Sequence, residues 1–301
     1  MLSVTILGNN SAVPAFNRHP TSQVVTLDGT NYLVDCGEGT QIQMIKYKIR
    51  RSKISHVFIS HLHGDHYFGL VGLLNTFGLL SHSQELHIFG PAALQQIIEL
   101  QLQVAETQLP YALHFHVVDG NATLVDNEQI RIKSFRTDHR IPTYGFSFEE
   151  KRDRRKLIID KVDEAGIPVS FYNSLQQGLD YIKPDGSVIA NRELTTAPVP
   201  GKKYAFCADT RYDERIIEHI RDFDMIYHET TYLDNFQEQA YNRFHSTTRQ
   251  AGRLALKAGV KRLLIGHFSS KYNELEPFVQ ETREVFPATE LAVEGQTYEL
   301  L

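Results

Sequence analysis

Apolar residues in the first part of the chain fall in short runs. Val4 to Leu7, Tyr32 to Asp35 and Val57 to Ser60 are rich in β-branched and aromatic side chains, and turns of Gly, Asn and Asp separate them. That is the punctuation of strands, so the first third is expected to be mostly sheet. After Pro91 the period changes: Leu94, Ile97, Ile98 and Leu102 fall on one helical face, which predicts a helix of about four turns with Pro91 near its start. Strands return at Ile130 to Phe135 and Gly145 to Phe148. From about 149 to 200 the pattern degrades. This stretch opens with Lys151-Arg152-Asp153-Arg154-Arg155-Lys156 and closes with Ala197-Pro198-Val199-Pro200-Gly201. It reads as an excursion from one main domain spanning 1–301. Beyond it, Tyr204 to Ala208 is a strand, Asp213 to Ile220 a helix and Asp224 to Tyr227 a strand. A second amphipathic helix starts at Thr247 or Thr248, buries Ala251, Leu254, Ala255 and Ala258, and stops at Gly259. Strand Arg262 to Ile265 then delivers Gly266-His267. The alternation is that of an α/β protein.

Composition changes little in this picture. A chain of 301 residues with 42% hydrophobic content can bury a large core. Its net charge of −5 argues against a surface that is basic all over, so nucleic-acid binding would need a local patch. Cys36 and Cys207 each sit in an apolar run and read as reduced core thiols. The first residues lack a basic segment followed by a long apolar one, and no run of ~18 apolar residues occurs, so a cytoplasmic protein with no membrane segment is expected.

The chemistry concentrates in Ser60-His61-Leu62-His63-Gly64-Asp65-His66, where four ligand-competent groups fall within six residues. A core does not need that density; a metal site does. On an extended stretch His61 and His63 point the same way and can share one ion. Gly64 permits a tight turn into a helix, so that Asp65 and His66 can face a second. His139, just after a strand, can complete the first site and His267 the second, while Asp209 in Cys207-Ala208-Asp209-Thr210 is the candidate bridge between two dications. Gly37-Glu38-Gly39-Thr40 reads as a turn into a helix rather than a phosphate cradle. His114 and His116 alternate on one strand face and could chelate, but no third donor lies nearby in sequence, which favours a solvated face.

The ordered set His61, His63, Asp65, His66, His139, Asp209, His267 resembles the signature of the metallo-β-lactamase superfamily. The resemblance implies a four-layer αββα sandwich with a dinuclear site at one edge. With Asp35-Cys36-Gly37-Glu38-Gly39-Thr40-Gln41, His228-Glu229-Thr230-Thr231 and His245-Ser246-Thr247 added, it narrows to the ribonuclease Z family of transfer-RNA 3′-processing endonucleases. That family implies two Zn2+ per subunit, with Mn2+ or Fe2+ as chemically acceptable substitutes. It also implies Asp65 as the residue orienting or deprotonating water, His245 as general acid, and Glu229 as the group that orients His245. The implied products are a 3′-hydroxyl on the tRNA and a 5′-phosphate on the trailer. Precursor tRNA is the implied partner, and a homodimer the implied assembly.

By the same resemblance, residues 149–200 are an inserted flexible arm, the exosite that clasps the tRNA elbow. Lys151, Arg152, Arg154, Arg155 and Lys156 are its phosphate-facing candidates, and binding through them would be salt-dependent. Two stretches depart from the family pattern. Gly166-Ile167-Pro168-Val169-Ser170-Phe171 stands where the family has a Gly-Pro element. In Pro14-Ala15-Phe16-Asn17-Arg18-His19 only Arg18 remains of the basic residues expected beside the cleavage point. Two rival functions stay open: a phosphodiesterase of the same superfamily acting on small or cyclic diesters, and a non-catalytic RNA-binding relative.

Overall fold

The structure is a computed structural model that describes residues 1–80, 82 and 84–300. The chain divides into two compact units: 1–126, 131–149 and 202–301 form one, and 127–130 with 150–201 the other.

The first unit contains two sheets of seven strands each. In chain order the strands are β1 (Leu2–Gly8), β2 (Ser22–Leu27), β3 (Thr30–Val34), β4 (Ile54–Phe58), β5 (Leu86–Gly90), β6 (Leu113–Val117), β7 (Ala122–Asp126), β8 (Ile130–Arg136), β9 (Tyr144–Glu150), β10 (Lys203–Cys207), β11 (Met225–Glu229), β12 (Leu263–Gly266), β13 (Thr289–Leu291) and β14 (Thr297–Glu299). One sheet runs β14-β1-β2-β3-β4-β5-β6 and the other β13-β12-β11-β10-β9-β8-β7. Within each, the strands nearest the chemistry are parallel: β3 to β6 in the first, β10 to β13 in the second.

Strand alternation sorts the side chains into layers. Val57, Leu86 and Ile88 face outward against helices α1 (Thr40–Lys46), α3 (Leu70–Leu79) and α4 (Ala93–Val104), through Met44, Leu73, Phe77 and Leu94. Ala205, Cys207, Ile226 and Leu263 pack on α6 (Thr248–Ala258) and α7 (Glu276–Arg283) through Leu254, Ala255 and Phe278. Between the sheets lies an aromatic layer. Phe58 meets Phe146 at 5.4 Å and Phe148 at 5.7 Å between ring centres, and Phe206 stacks on Tyr227. The order helix, sheet, sheet, helix is the αββα sandwich. Both cysteines are buried free thiols, and burial pushes the Cys36 thiol up to about 12.

The expected helix after Pro91 is 12 residues long, a little shorter than expected. The Thr247 start is a capping box with Gln250, and Gly259 closes α6 at φ 67°. The first third is less sheet-rich than its composition implies, because α1, α2 (Gly64–Tyr67) and α3 lie within it. Leu70, Leu73, Leu74 and Phe77 are the buried face of α3, spaced i, i+3, i+4, i+7, so the helical period was present under a β-like composition. Asp213 to Ile220 is a 3-10 turn running into a single helical turn, with the Asp213 carboxylate accepting from Arg215 N.

The second unit has a small core of its own. Val162, Ile167, Leu175 and Leu194 are buried together, helped by Leu157, Phe171 and Tyr181. Its helices (Ile159–Glu164, Tyr172–Gln176, Asn191–Leu194) and two-residue strands are too short to show a period, which is why the pattern degrades there.

Candidate metal centre

After β4 the chain stays beside β5, with Ile59 N donating to Phe89 O at 2.8 Å, and Ser60 N then donates to the Asp35 carboxylate at 2.7 Å. The chain bends at Leu62 and His63, and α2 begins at Gly64. A Cβ on Gly64 would crowd the ring of exposed Phe68, which would have to swing aside. At Gly37 a Cβ would come within 2.5 Å of Asp65 O. The Gly37–Thr40 turn therefore lets the backbone under Asp65 pass close by, and α1 starts from Gly39 at φ 82°. Asp209, Glu229 and His267 come from, or just beyond, the carboxyl ends of β10, β11 and β12, where open parallel sheets place their ligands.

The seven candidate ligands converge. His61, His63, His139 and Asp209 bring one donor atom each within 4.8 Å of one another, and so do Asp65, His66 and His267. His63 Nδ1 lies 3.0 Å from His61 Nε2 and 3.1 Å from His139 Nε2. Asp209 faces both groups: Oδ2 is 3.7 Å from His61 Nε2 and 3.5 Å from His66 Nε2, and Oδ1 is 3.3 Å from His267 Nε2. Asp65 Oδ2 lies 3.4 Å from His267 Nε2 and accepts from Ala12 N at 2.7 Å. His245 forms a third group with Asp209 and His267.

Hydrogen bonds on the far side of each ring set the tautomers. His139 Nδ1 donates to Phe244 O at 2.9 Å. His66 Nδ1 donates to Asp35 Oδ2 at 2.7 Å, and Asp35 is completely buried. Thr231 Oγ1 donates to Glu229 Oε2 and so accepts from His267 Nδ1 at 2.9 Å. Each ring then turns Nε2 inward. His66 Nε2 and His267 Nε2 are buried without a hydrogen-bond partner among the described residues, an arrangement costing about 1–3 kcal/mol apiece unless something else binds them. A divalent cation fits that need. Asp35 and His267 also hold φ of 54° and 59°, backbone strain that non-glycine residues keep only where the surrounding structure demands it.

The buried charges of the cluster shift one another. Burial, with the charge of neighbouring His66, lowers His61 well below an ordinary imidazole, and burial with His139 lowers His63 to about 4. Burial opposes the charge on His66, but the carboxylates of Asp209, Asp65 and Asp35 outweigh it and raise this imidazole well above its usual value. Burial also opposes ionisation of Asp209, yet His267 and His66 hold its carboxyl well below the usual range.

A third constellation borders the cluster. Glu229 is fully buried rather than a solvated strand-end carboxylate. It accepts from Thr210 N, Ser246 N, Thr231 N and Thr231 Oγ1, and from His245 Nδ1 at 2.8 Å. Burial opposes protonation of His245, but Glu229 more than compensates and raises the imidazole to about 9. A cavity of about 380 Å³ opens over the cluster, with Arg140, Arg243 and His245 on its wall.

The protein known as ribonuclease Z from Bacteroides fragilis (strain YCH46) is 42% identical to this chain over 292 residues, covering 96% of each. The chain belongs to the ribonuclease Z family. Ribonuclease Z from Geobacillus kaustophilus is 38% identical over 305 aligned positions, covering 99% of each chain. A family model described as Anti-Pycsar protein Apyc1 matches residues 2–159, so the chain falls within that family as well. This match takes in His61 to His66 and His139 but stops before Asp209, Glu229, His245 and His267. Among solved structures, the short form of human tRNase Z matches with a TM-score of 0.73 at 27% identity, covering 99% of both chains. The metallo-β-lactamase fold protein YhfI from Bacillus subtilis matches at 0.71 and 20% identity, covering 99% of this chain and 100% of its own.

Several of the expected RNA-facing residues are engaged within the protein. Arg18 spends its guanidinium within the protein, on Asn10 Oδ1 at 3.0 Å, Asn273 O at 3.0 Å and Tyr272 O. In the second unit Arg152 pairs with Glu150 at 2.9 Å, Arg155 donates to Thr195 Oγ1 at 2.7 Å, and Lys156 lies in a two-residue strand paired with Thr196. Lys151 N donates to Gln129 O, and Arg154 is exposed.

Sequence reasoning placed Asp35 and Thr231 in family motifs without giving them a role, and missed Arg211. Arg211 is clasped between Tyr241 and Phe244, at 4.1 and 3.5 Å from the ring centres, and its Nε donates to Tyr241 O. It thereby braces the loop whose Phe244 carbonyl holds His139 and which leads into His245. The positive φ of Asp35 leaves no signal in the sequence, whereas its place before Cys36-Gly37 was legible only as a turn. Asp35→Asn is expected to weaken metal binding about 10- to 100-fold, the usual cost of removing an anionic partner behind a ligating histidine. Competition with a chromogenic chelator measures this, and unchanged affinity would remove Asp35 from the centre.

Proposed function

We propose that this protein is a metal-dependent endoribonuclease that removes the 3′ trailer from precursor tRNA, leaving a 3′-hydroxyl on the tRNA and a 5′-phosphate on the trailer. One observation carries the substrate: the likeness to ribonuclease Z runs the length of the chain, 150–201 included, rather than stopping at the metal ligands.

Two Zn2+ ions are the proposed complement, one held by His61, His63, His139 and Asp209, the other by Asp65, His66, His267 and Asp209; Mn2+ or Fe2+ suits the same donors. Bound there, the ions supply a water acidified towards neutral pH and Lewis-acid stabilisation of phosphate charge. The remaining chemistry belongs to side chains. Asp65, ionised because His66 and His267 outweigh its burial, accepts a hydrogen bond from the attacking water and orients it. Arg140 and Arg243 face the cavity that receives the phosphate. His245, protonated on Nδ1 against Glu229, presents Nε2–H to the departing 3′ oxygen, which would otherwise leave as a poor alkoxide. The second unit serves as the exosite arm for the tRNA, in a cytoplasmic homodimer.

A phosphodiesterase for small or cyclic diesters would use the same centre without needing the arm. Incubation with a precursor tRNA bearing a 3′ trailer, with Asp65→Ala as the inactive control, should give a single cut with the stated ends. Deleting 150–198 should abolish that cut while sparing hydrolysis of a small chromogenic diester. No cut by the intact protein, with turnover of the small diester, would move the assignment to the rival. No turnover of either, with no metal bound, would leave only the non-catalytic RNA-binding reading.

A further inference from the structure

His114 and His116 lack a third donor in sequence, but the order of strands in the sheet brings His87 beside them. β4, β5 and β6 are parallel and in register, with His56 opposite His87, His87 opposite His114, and Phe89 opposite His116. All four imidazoles therefore fall on one face of three adjacent strands. His87 lies at the centre of the group, its ring 5.1 Å from His56, 4.9 Å from His114 and 5.2 Å from His116. The other face of the same strands packs on α3 and α4, so these polar rings are not there to fill that core.

The closest approach has ligand geometry. His87 Nδ1 and His116 Nε2 are 3.0 Å apart, the same separation as His61 Nε2 and His63 Nδ1 at the metal centre. Two nitrogens bound at about 2.0–2.1 Å to one tetrahedral or tetragonal ion lie at nearly that spacing. His114 stacks on His87, and its Nε2, 3.3 Å from Glu85 Oε2, has no hydrogen-bond partner among the described residues. His116 is exposed and β6 is the edge strand, so an ion can reach the pair from solvent. Burial, then the charge of neighbouring histidines, lowers His87 and His116, and His56 to about 4.

We propose that His87 and His116 form a peripheral binding site for a borderline divalent transition-metal ion, Zn2+ in the first instance, with water completing the coordination. The donor set is imidazole with no thiolate, which suits zinc, nickel or copper and excludes magnesium and calcium. The ion would pin the edge strand β6 to β5. This site is independent of the proposed RNA cleavage.

Equilibrium dialysis of the zinc-loaded protein against micromolar free Zn2+ tests it. The wild type should hold one more zinc per chain than a His87→Gln/His116→Gln variant. Either single substitution should weaken that zinc at least about tenfold, since losing a ligand costs no less than losing the group behind one. Precursor cleavage should be unchanged in all three. Equal zinc content in wild type and double variant would overturn the proposal. Zinc-soaked crystals of the wild type need no variant: anomalous density between His87 Nδ1 and His116 Nε2 supports the site, and density confined to the Asp209 centre overturns it.

Discussion

Asp209→Ala is expected to lower precursor-tRNA cleavage by about 10⁴-fold or more and to strip metal from the protein. Among the described residues, Asp209 is the carboxylate that faces both ligand groups. One carboxylate oxygen faces His267 at 3.3 Å, and the other faces His66 and His61 at 3.5 and 3.7 Å. Removing it withdraws a donor from each proposed ion and the negative charge that offsets repulsion between two dications. It also withdraws the first of the carboxylates that raise His66, so the metal-free centre is disturbed too. Asp209→Asn keeps the shape and removes the charge, which separates the electrostatic loss from a packing defect. Metal content by elemental analysis and single-turnover cleavage are the measurements. An Asp209→Asn variant with full metal content and wild-type kcat would refute the bridging role.

His245→Ala is the second large effect, and its signature is different. Cleavage should fall by about 10²- to 10⁴-fold, the span usual for a general acid, while metal content stays at the wild-type level. His245 also lies within reach of Asp209 and His267, so a fall in metal content would instead make it a ligand. Glu229→Gln tests the positioning of that acid. The Glu229 carboxylate is what raises His245 to about 9, with burial opposing, so the imidazolium is present below that value and lost above it. Replacing the carboxylate with a neutral amide lowers the imidazole's pKa, and the alkaline limb of the kcat profile should move to lower pH. An unmoved limb would leave Glu229 a purely structural residue. A precursor whose 3′ oxygen is replaced by sulfur, a much better leaving group, should be cut by His245→Ala at a rate close to wild type.

These two predictions rest on residues of unequal legibility. Asp209 could be read from the chain because a strand-ending apolar run leads straight into it, and the same holds for His61 to His66 and His267. Glu229 and His245 were nominated through likeness to a family. Their hydrogen bond depends on how a loop after α5 (Gln237–Asn242) returns to the end of β11, which no local pattern encodes. The RNA-facing candidates were nominated by their place in the family's pattern and by their charge. Charge does not reveal that Arg18 is consumed by Asn10, Tyr272 and Asn273.

By itself the sequence determined what is local. Hydrophobic period sets α4 and α6, turn and capping residues set their ends, and six consecutive residues carry most of the ligand set, because these depend on neighbours within a turn or a strand. Only the tertiary structure decided what lies behind and beside those groups. Asp35 under His66, Thr231 under His267 and His87 beside His116 join residues brought together by sheet order and register. The physical reason is that a strand's side-chain alternation is written in its own sequence, whereas which strand becomes its neighbour is settled by burying both sheets at once.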